Sequence, residues 1–276
     1  AWSGRLPREA MVRLLPGGRE VRVRSIEVHG DAMTAARGGA RVALGLVGIA
    51  REEVAPDSVL VRADEPWEVT QVLRADVALI SGAAPVGPRH RLRFHVGTAE
   101  VGARCVAAGG PLVSGEMRPV RLVLDAPVVL RGGDRFVLRG GAQIETLGGG
   151  VVTDPLPGVA RARPWASVEA SETMRLEWML DEAGASGLVV AALPQRLGRR
   201  PAEVQRLVRA LERVFEVDGR LLRAEQLDAA RQRLLAAVDA AHASNPIAPG
   251  CDRQVARAAL RVPSGVADEV IRRAER

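Results

Sequence analysis

The sequence predicts a multidomain protein with two antiparallel β-barrels followed by α+β winged-helix modules. Three observations carry this. Up to Pro155, the 276-residue chain reads as short alternating strands separated by glycine turns, with no helical period between them. A break at Pro66 divides those strands into two series. Past a proline-rich joint, Pro155 to Pro164, the period becomes helical and three short helices run into a hairpin. The expected boundaries are a barrel over 1–66, a barrel over 67–157, a linker over 158–170, a winged helix over 171–225 and a second one over 228–276.

The first series opens with Ala10 to Leu15, a Pro16-Gly17-Gly18 turn and a strand from Val21. Val21 and Val23 share one parity and Ile26 and Val28 the other, so the strand needs a bulge near Arg24-Ser25 to keep all four on one side. Ala40 to Val47 is the next strand. Val42, Leu44 and Leu46 lie on one face, and Arg41 leads a second face of small residues that cannot cover it. That arrangement suits a carboxylate or phosphate, although an edge arginine in solvent gives the same pattern.

The second series runs from a long strand, Trp67 to Ile80, through Arg91 to Val96, Val101 to Val106 and Val120 to Leu124. It ends in the stretch Gly132 to Pro155, where Phe136 and Leu138 precede Gly148-Gly149-Gly150. The three glycines invite comparison with a phosphate loop, but Val151-Val152-Thr153 continues as a strand, so they read as a bend closing the barrel.

The helical part begins with an amphipathic helix, Ser171 to Ala183, and a short helix, Leu188 to Leu197. Pro201 opens a third, with Val204, Leu207, Val208 and Leu211 on its apolar face. Val214 to Val217, Asp218-Gly219 and Arg220 to Leu222 form a hairpin with a strong two-residue turn. Arg206, Arg209 and Arg213 fall at helical spacing opposite the apolar face, with Arg196, Arg199 and Arg200 before them. Arg199, Arg200, Arg206, Arg209 and Arg213 are candidates for RNA contact. Residues 171–276 hold 17 arginines against 15 acids, which equally describes a solvated face or a spacer. Helices at Asp228 to Ala243, Asp252 to Leu260 and Ser264 to Arg276 follow a break at Asn245 to Gly250.

The net charge of +6 comes from arginine alone, since the sequence contains no lysine. A Walker-type loop needs a lysine after its glycines, so this class of nucleotide site is excluded. Cys105 and Cys251 lie apart with no metal or redox spacing. His29, His90 and His95 complete neither a tetrahedral metal site nor a nucleophile triad, and no paired carboxylates stand out. No catalytic or metal site is expected, no apolar run is long enough to cross a bilayer, and no secretory signal is present. The chain starts on Ala1 and stops at Arg276 inside a helical pattern, which reads as a fragment.

Four segments together resemble the selenocysteine-specific translation elongation factors, relatives of elongation factor Tu. They are V-R-V-R-S-I-E-V-H-G at 21–30, A-R-V-A-L-G-L-V-G-I at 40–49, R-F-H-V-G-T-A-E-V at 93–101, and G-D-R-F-V-L-R with T-L-G-G-G-V-V-T-D-P at 133–155. The resemblance implies barrels of the family's domain II and III types, the first lacking its N-terminal part. It implies that Arg41 belongs to the pocket for the selenocysteine end of the charged tRNA. It further implies selenocysteinyl-tRNA and the ribosome as partners, with an mRNA insertion hairpin bound by modules beyond Arg276, and a cytoplasmic, monomeric protein that makes no membrane contact. GTP and magnesium would belong to a GTPase domain outside this chain, which is then no enzyme alone. Two other readings stay open: a translational GTPase relative taking ordinary aminoacyl-tRNA, and a winged-helix DNA-binding regulator with a strand-rich ligand domain.

Overall fold

The computed structural model describes residues 4–107, 109–140, 145–158, 171–245, 247 and 250–275. The chain forms two compact units, one built of strands as far as Pro157 and one carrying the helices. The linker expected over 158–170 lies, Gly158 apart, outside the described residues.

The first series contains β1 (Arg5–Pro7), β2 (Met11–Leu15), β3 (Arg19–Val28), β4 (Asp31–Ala32), β5 (Ala35–Arg37), β6 (Ala43–Val47) and β7 (Val59–Arg62). Its main sheet has the order β4-β3-β2-β7 with β6 on β3, and β1 pairs β5 separately. The parity change in β3 is resolved by an irregularity where expected: Val23 faces Leu46, and the next pair is Ser25 with Gly45. Arg24 is the extra residue, and Val21, Val23 and Ile26 all reach the core. The Ser25 hydroxyl stands over Gly45, leaving no room for a side chain there.

The segment around Pro66 is tied down. Arg13, in β2, donates to the carbonyls of Glu65 at 3.0 Å and Trp67 at 2.9 Å. The Trp67 indole donates to the Glu65 carboxylate at 2.8 Å. The ring packs with Leu15, Val61, Val69 and Val129, residues drawn from both series. Trp67 therefore serves the junction, and the long strand it was expected to open begins at Val69.

The second series is β8 (Val69–Leu79), β9 (Leu92–Val96), β10 (Ala99–Ala107), β11 (Met117–Val129), β12 (Arg135–Gly140) and β13 (Glu145–Asp154). These close into a barrel in the order β10-β11-β8-β13-β12-β9. Alternation fills it with Leu73, Val77, Phe94, Leu122 and Leu138, and the Phe94 and Phe136 rings meet at 4.8 Å between centroids. Burial pushes the Cys105 thiol up to about 12, so this thiol is inert packing. On the outer face of β8, Arg74 and Asp76 are only 1% exposed. Arg74 lies opposite Asp154 of β13, an opposed-charge arrangement that burial demands.

Gly148, Gly149 and Gly150 correct the sequence reading. They are not a bend before a strand but the middle of β13, flanked by β8 and β12. A Cβ on Gly148 would overlap the Ala78 carbonyl, one on Gly149 the Phe136 carbonyl, and one on Gly150 the Asp76 carbonyl. The register slips by one residue at Leu147, between the Leu138–Gly148 and Arg139–Thr146 pairs.

The helical unit comprises α1 (Glu172–Ala183), β14 (Leu188–Val189), α2 (Leu193–Leu197), α3 (Pro201–Arg209), β15 (Val214–Val217), β16 (Arg220–Arg223), α4 (Ala224–Ser244), α5 (Arg253–Leu260) and α6 (Ser264–Ala274). Ser171 caps α1 by accepting from the Met174 N–H at 3.2 Å. The helix expected over Leu188 to Leu197 is instead a short strand, a 3-10 turn and the one-turn α2. Leu188 pairs with Leu221, adding a third strand to the hairpin. The order α1-β14-α2-α3-β15-β16 is a winged helix, and α4, α5 and α6 supply the helices of the next module.

Gly150→Ala should lower the urea midpoint of the barrel by the equivalent of about 2–3 kcal/mol, the scale of overpacking against fixed backbone. Gly17→Ala, facing open space, should leave it within about 0.5 kcal/mol.

Candidate functional site

Arg41 lies two residues before β6 rather than at the start of the strand. It is exposed, whereas Val42 and Leu44 turn inward and are half-buried. Among the described residues Arg41 makes no hydrogen bond or ion pair, so its guanidinium is available for an outside anion. The inward neighbours line a cavity of about 560 Å³, together with Val12, Ala36 and Leu60 of the first series and Trp67, Thr98 and Val129 of the junction and closed barrel. The face carrying Arg41 is small, as expected: Ala43 lies opposite Glu27 and Gly45 opposite Ser25.

The five arginines proposed for RNA contact fall into two classes. Arg199 binds Glu172, and this hydrogen bond raises its pKa above the ordinary guanidinium value. Arg200 is held by Glu203 at the start of α3: its backbone N–H donates at 2.9 Å and its guanidinium at 3.1 and 3.3 Å. With Pro201 in the first turn, this fixes the entry to α3. Both arginines are structural cations in this geometry.

Arg206 and Arg209 lie exposed on α3 beside Ala202 and Gln205, and neither makes an ion pair among the described residues. Arg213 does not share their face. The helix ends at Arg209, Arg213 adopts a left-handed φ of 54°, and its side chain reaches Glu225 at 3.4 Å. Three arginines at apparent helical spacing thus reduce to two on the helix. Among the described residues no group of three or more His, Cys, Asp or Glu is placed to hold a metal ion. His95 is half-buried, with Nδ1 3.8 Å from Glu100.

The Arg200 hydrogen bonds hold Glu203 down at about 2 against its ordinary 4.5. A carboxylate with a depressed folded pKa stabilises the fold above 4.5, and that contribution is lost as pH falls from 4.5 through 2. NMR titration of Glu203 should give a midpoint near 2, and Arg200→Gln should move it back toward the ordinary carboxylate range.

Residues 73–158 match the family model for the beta-barrel domain of the selenocysteine-specific elongation factor. A selenocysteine-specific elongation factor of Desulfomicrobium baculatum is 28% identical over 204 residues, 69% of this chain and 31% of that protein. Elongation factor 1-alpha of Thermoplasma acidophilum is 28% identical over 93 residues, 34% of this chain and 22% of that protein. A crystal structure of a bacterial selenocysteine-specific elongation factor, EF-Sec, matches with a TM-score of 0.72 at 19% identity, covering 99% of this chain and 43% of that one. That likeness establishes the fold. The chain spans about a third of the length of the Desulfomicrobium relative. The closed barrel thus matches the beta-barrel domain of the selenocysteine-specific elongation factors over residues 73–158, and 69% of the chain is similar in sequence to one of those factors.

Proposed function

We propose that this chain is the tRNA-receiving body and RNA-directed arm of a factor that delivers selenocysteinyl-tRNA to the ribosome at recoded UGA codons. The observation that carries this is the family match of the closed barrel over residues 73–158. In this reading the barrels hold the charged tRNA, and the helical modules extend toward an mRNA insertion hairpin bound further along the factor. The protein works in the cytoplasm as a monomer. Among the described residues no helix is long and apolar enough to cross a membrane.

Arg41 holds the selenocysteine end. A selenol is largely ionised at neutral pH, so an otherwise unengaged cation favours it over a neutral serine hydroxyl. GTP and magnesium would act in a different part of the factor. The sequence has no lysine to complete a Walker-type loop, so no step is assigned to them on these residues. The similarity to elongation factor 1-alpha favours a second reading, in which the same barrels take ordinary aminoacyl-tRNA.

In a factor containing this chain, Arg41→Ala should reduce the preference for selenocysteinyl-tRNA over seryl-tRNA about tenfold, the scale of one charge-assisted hydrogen bond. An unchanged preference removes Arg41 from the pocket. The double variant Arg206→Ala/Arg209→Ala should weaken RNA binding and flatten the plot of log affinity against log salt by roughly 1.5, as expected for the loss of two phosphate contacts. An unchanged slope assigns α3 to a spacer.

A further inference from the structure

The hairpin β15–β16 contributes to two hydrophobic cores. Leu221 packs with Leu176, Leu188 and Leu193 of the first winged helix. Its neighbour Leu222 points to the other face, as alternation requires, and together with Val217 it packs with Leu234, Leu260 and Ile271 of α4, α5 and α6. The turn between the strands is Asp218-Gly219, both at left-handed φ, 49° and 67°, which fits a two-residue hairpin turn. This turn meets α6. A Cβ on Gly265, in the first turn of α6, would overlap the Asp218 carboxylate. Helix α6 has no acidic residue in its own first turn and no side-chain cap at Pro263. Its N-terminal N–H groups therefore lack an anion from their own segment, and a carboxylate placed there is stabilising.

We propose that the hairpin is a wall shared by both helical modules, its turn seated on α6 with the Asp218 carboxylate against Gly265. The hairpin face that carries Val217 and Leu222 is then committed inside the protein. On α3, Arg206 and Arg209 stay exposed to an outside partner. Gly265 is the position that permits this, since any larger residue must displace the carboxylate.

Hydrogen exchange on the full chain tests the arrangement. Gly265→Val should speed exchange at least tenfold in α6 and also in β15–β16, while the closed barrel is unaffected. Adding Asp218→Gly, which removes the obstructing carboxylate and suits the left-handed turn, should restore most of the hairpin protection. The proposal is overturned if Gly265→Val leaves the hairpin unchanged. It is equally overturned if both regions lose protection and Asp218→Gly recovers none of it, because the damage would then be general unfolding rather than a displaced contact.

Discussion

Closure of the second barrel depends on how closely β13 can approach the strands on either side of it. At Gly148, Gly149 and Gly150 the carbonyls of Ala78, Phe136 and Asp76 occupy the space that side chains would take. Glycine is normally a poor strand residue because it orders a flexible backbone and packs nothing. Here the absence of a side chain lets the last strand complete the ladder between β8 and β12. With no free edge, the barrel can bury a continuous core from Leu73 to Val152. The rest of the strand-built unit is anchored to this body through Trp67 and the two hydrogen bonds from Arg13.

Functional chemistry in this molecule is a matter of which arginines are engaged. Most have carboxylate or carbonyl partners that fix local structure: Arg13 at the junction, Arg199 and Arg200 around α3, Arg223 on Asp181 at 2.6 Å. Exposed pairs of this kind contribute little stability each. Their effect is to take cations out of circulation; Arg41 on the first sheet, and Arg206 and Arg209 on α3, are among the arginines that keep no internal anion among the described residues.

Much of the architecture was legible in the sequence because alternation is a direct consequence of strand geometry. The parity change between Val23 and Ile26 located the bulge at Arg24, and the Asp218-Gly219 pair located the hairpin. The misreadings share physical causes. Glycine carries no parity, so Gly148 to Gly150 could not be told from a bend. Leu188-Val189 is too short to show a period, and only its partner Leu221, far along the chain, makes it a strand. Arg213 matched helical spacing, but α3 stops before it, and the left-handed backbone turns its side chain to Glu225. The engagement of Arg199 by Glu172 is set by tertiary contact and leaves no local pattern.

The central claim is that these barrels select a charged tRNA by the group at its end. The most direct measurement is the equilibrium affinity of a factor containing this chain for one tRNA body carrying either selenocysteine or serine. A clear preference for the selenocysteinyl form, weakening as salt rises, is the predicted result. Equal affinity for the two would contradict the account, and would assign the barrels to ordinary aminoacyl-tRNA.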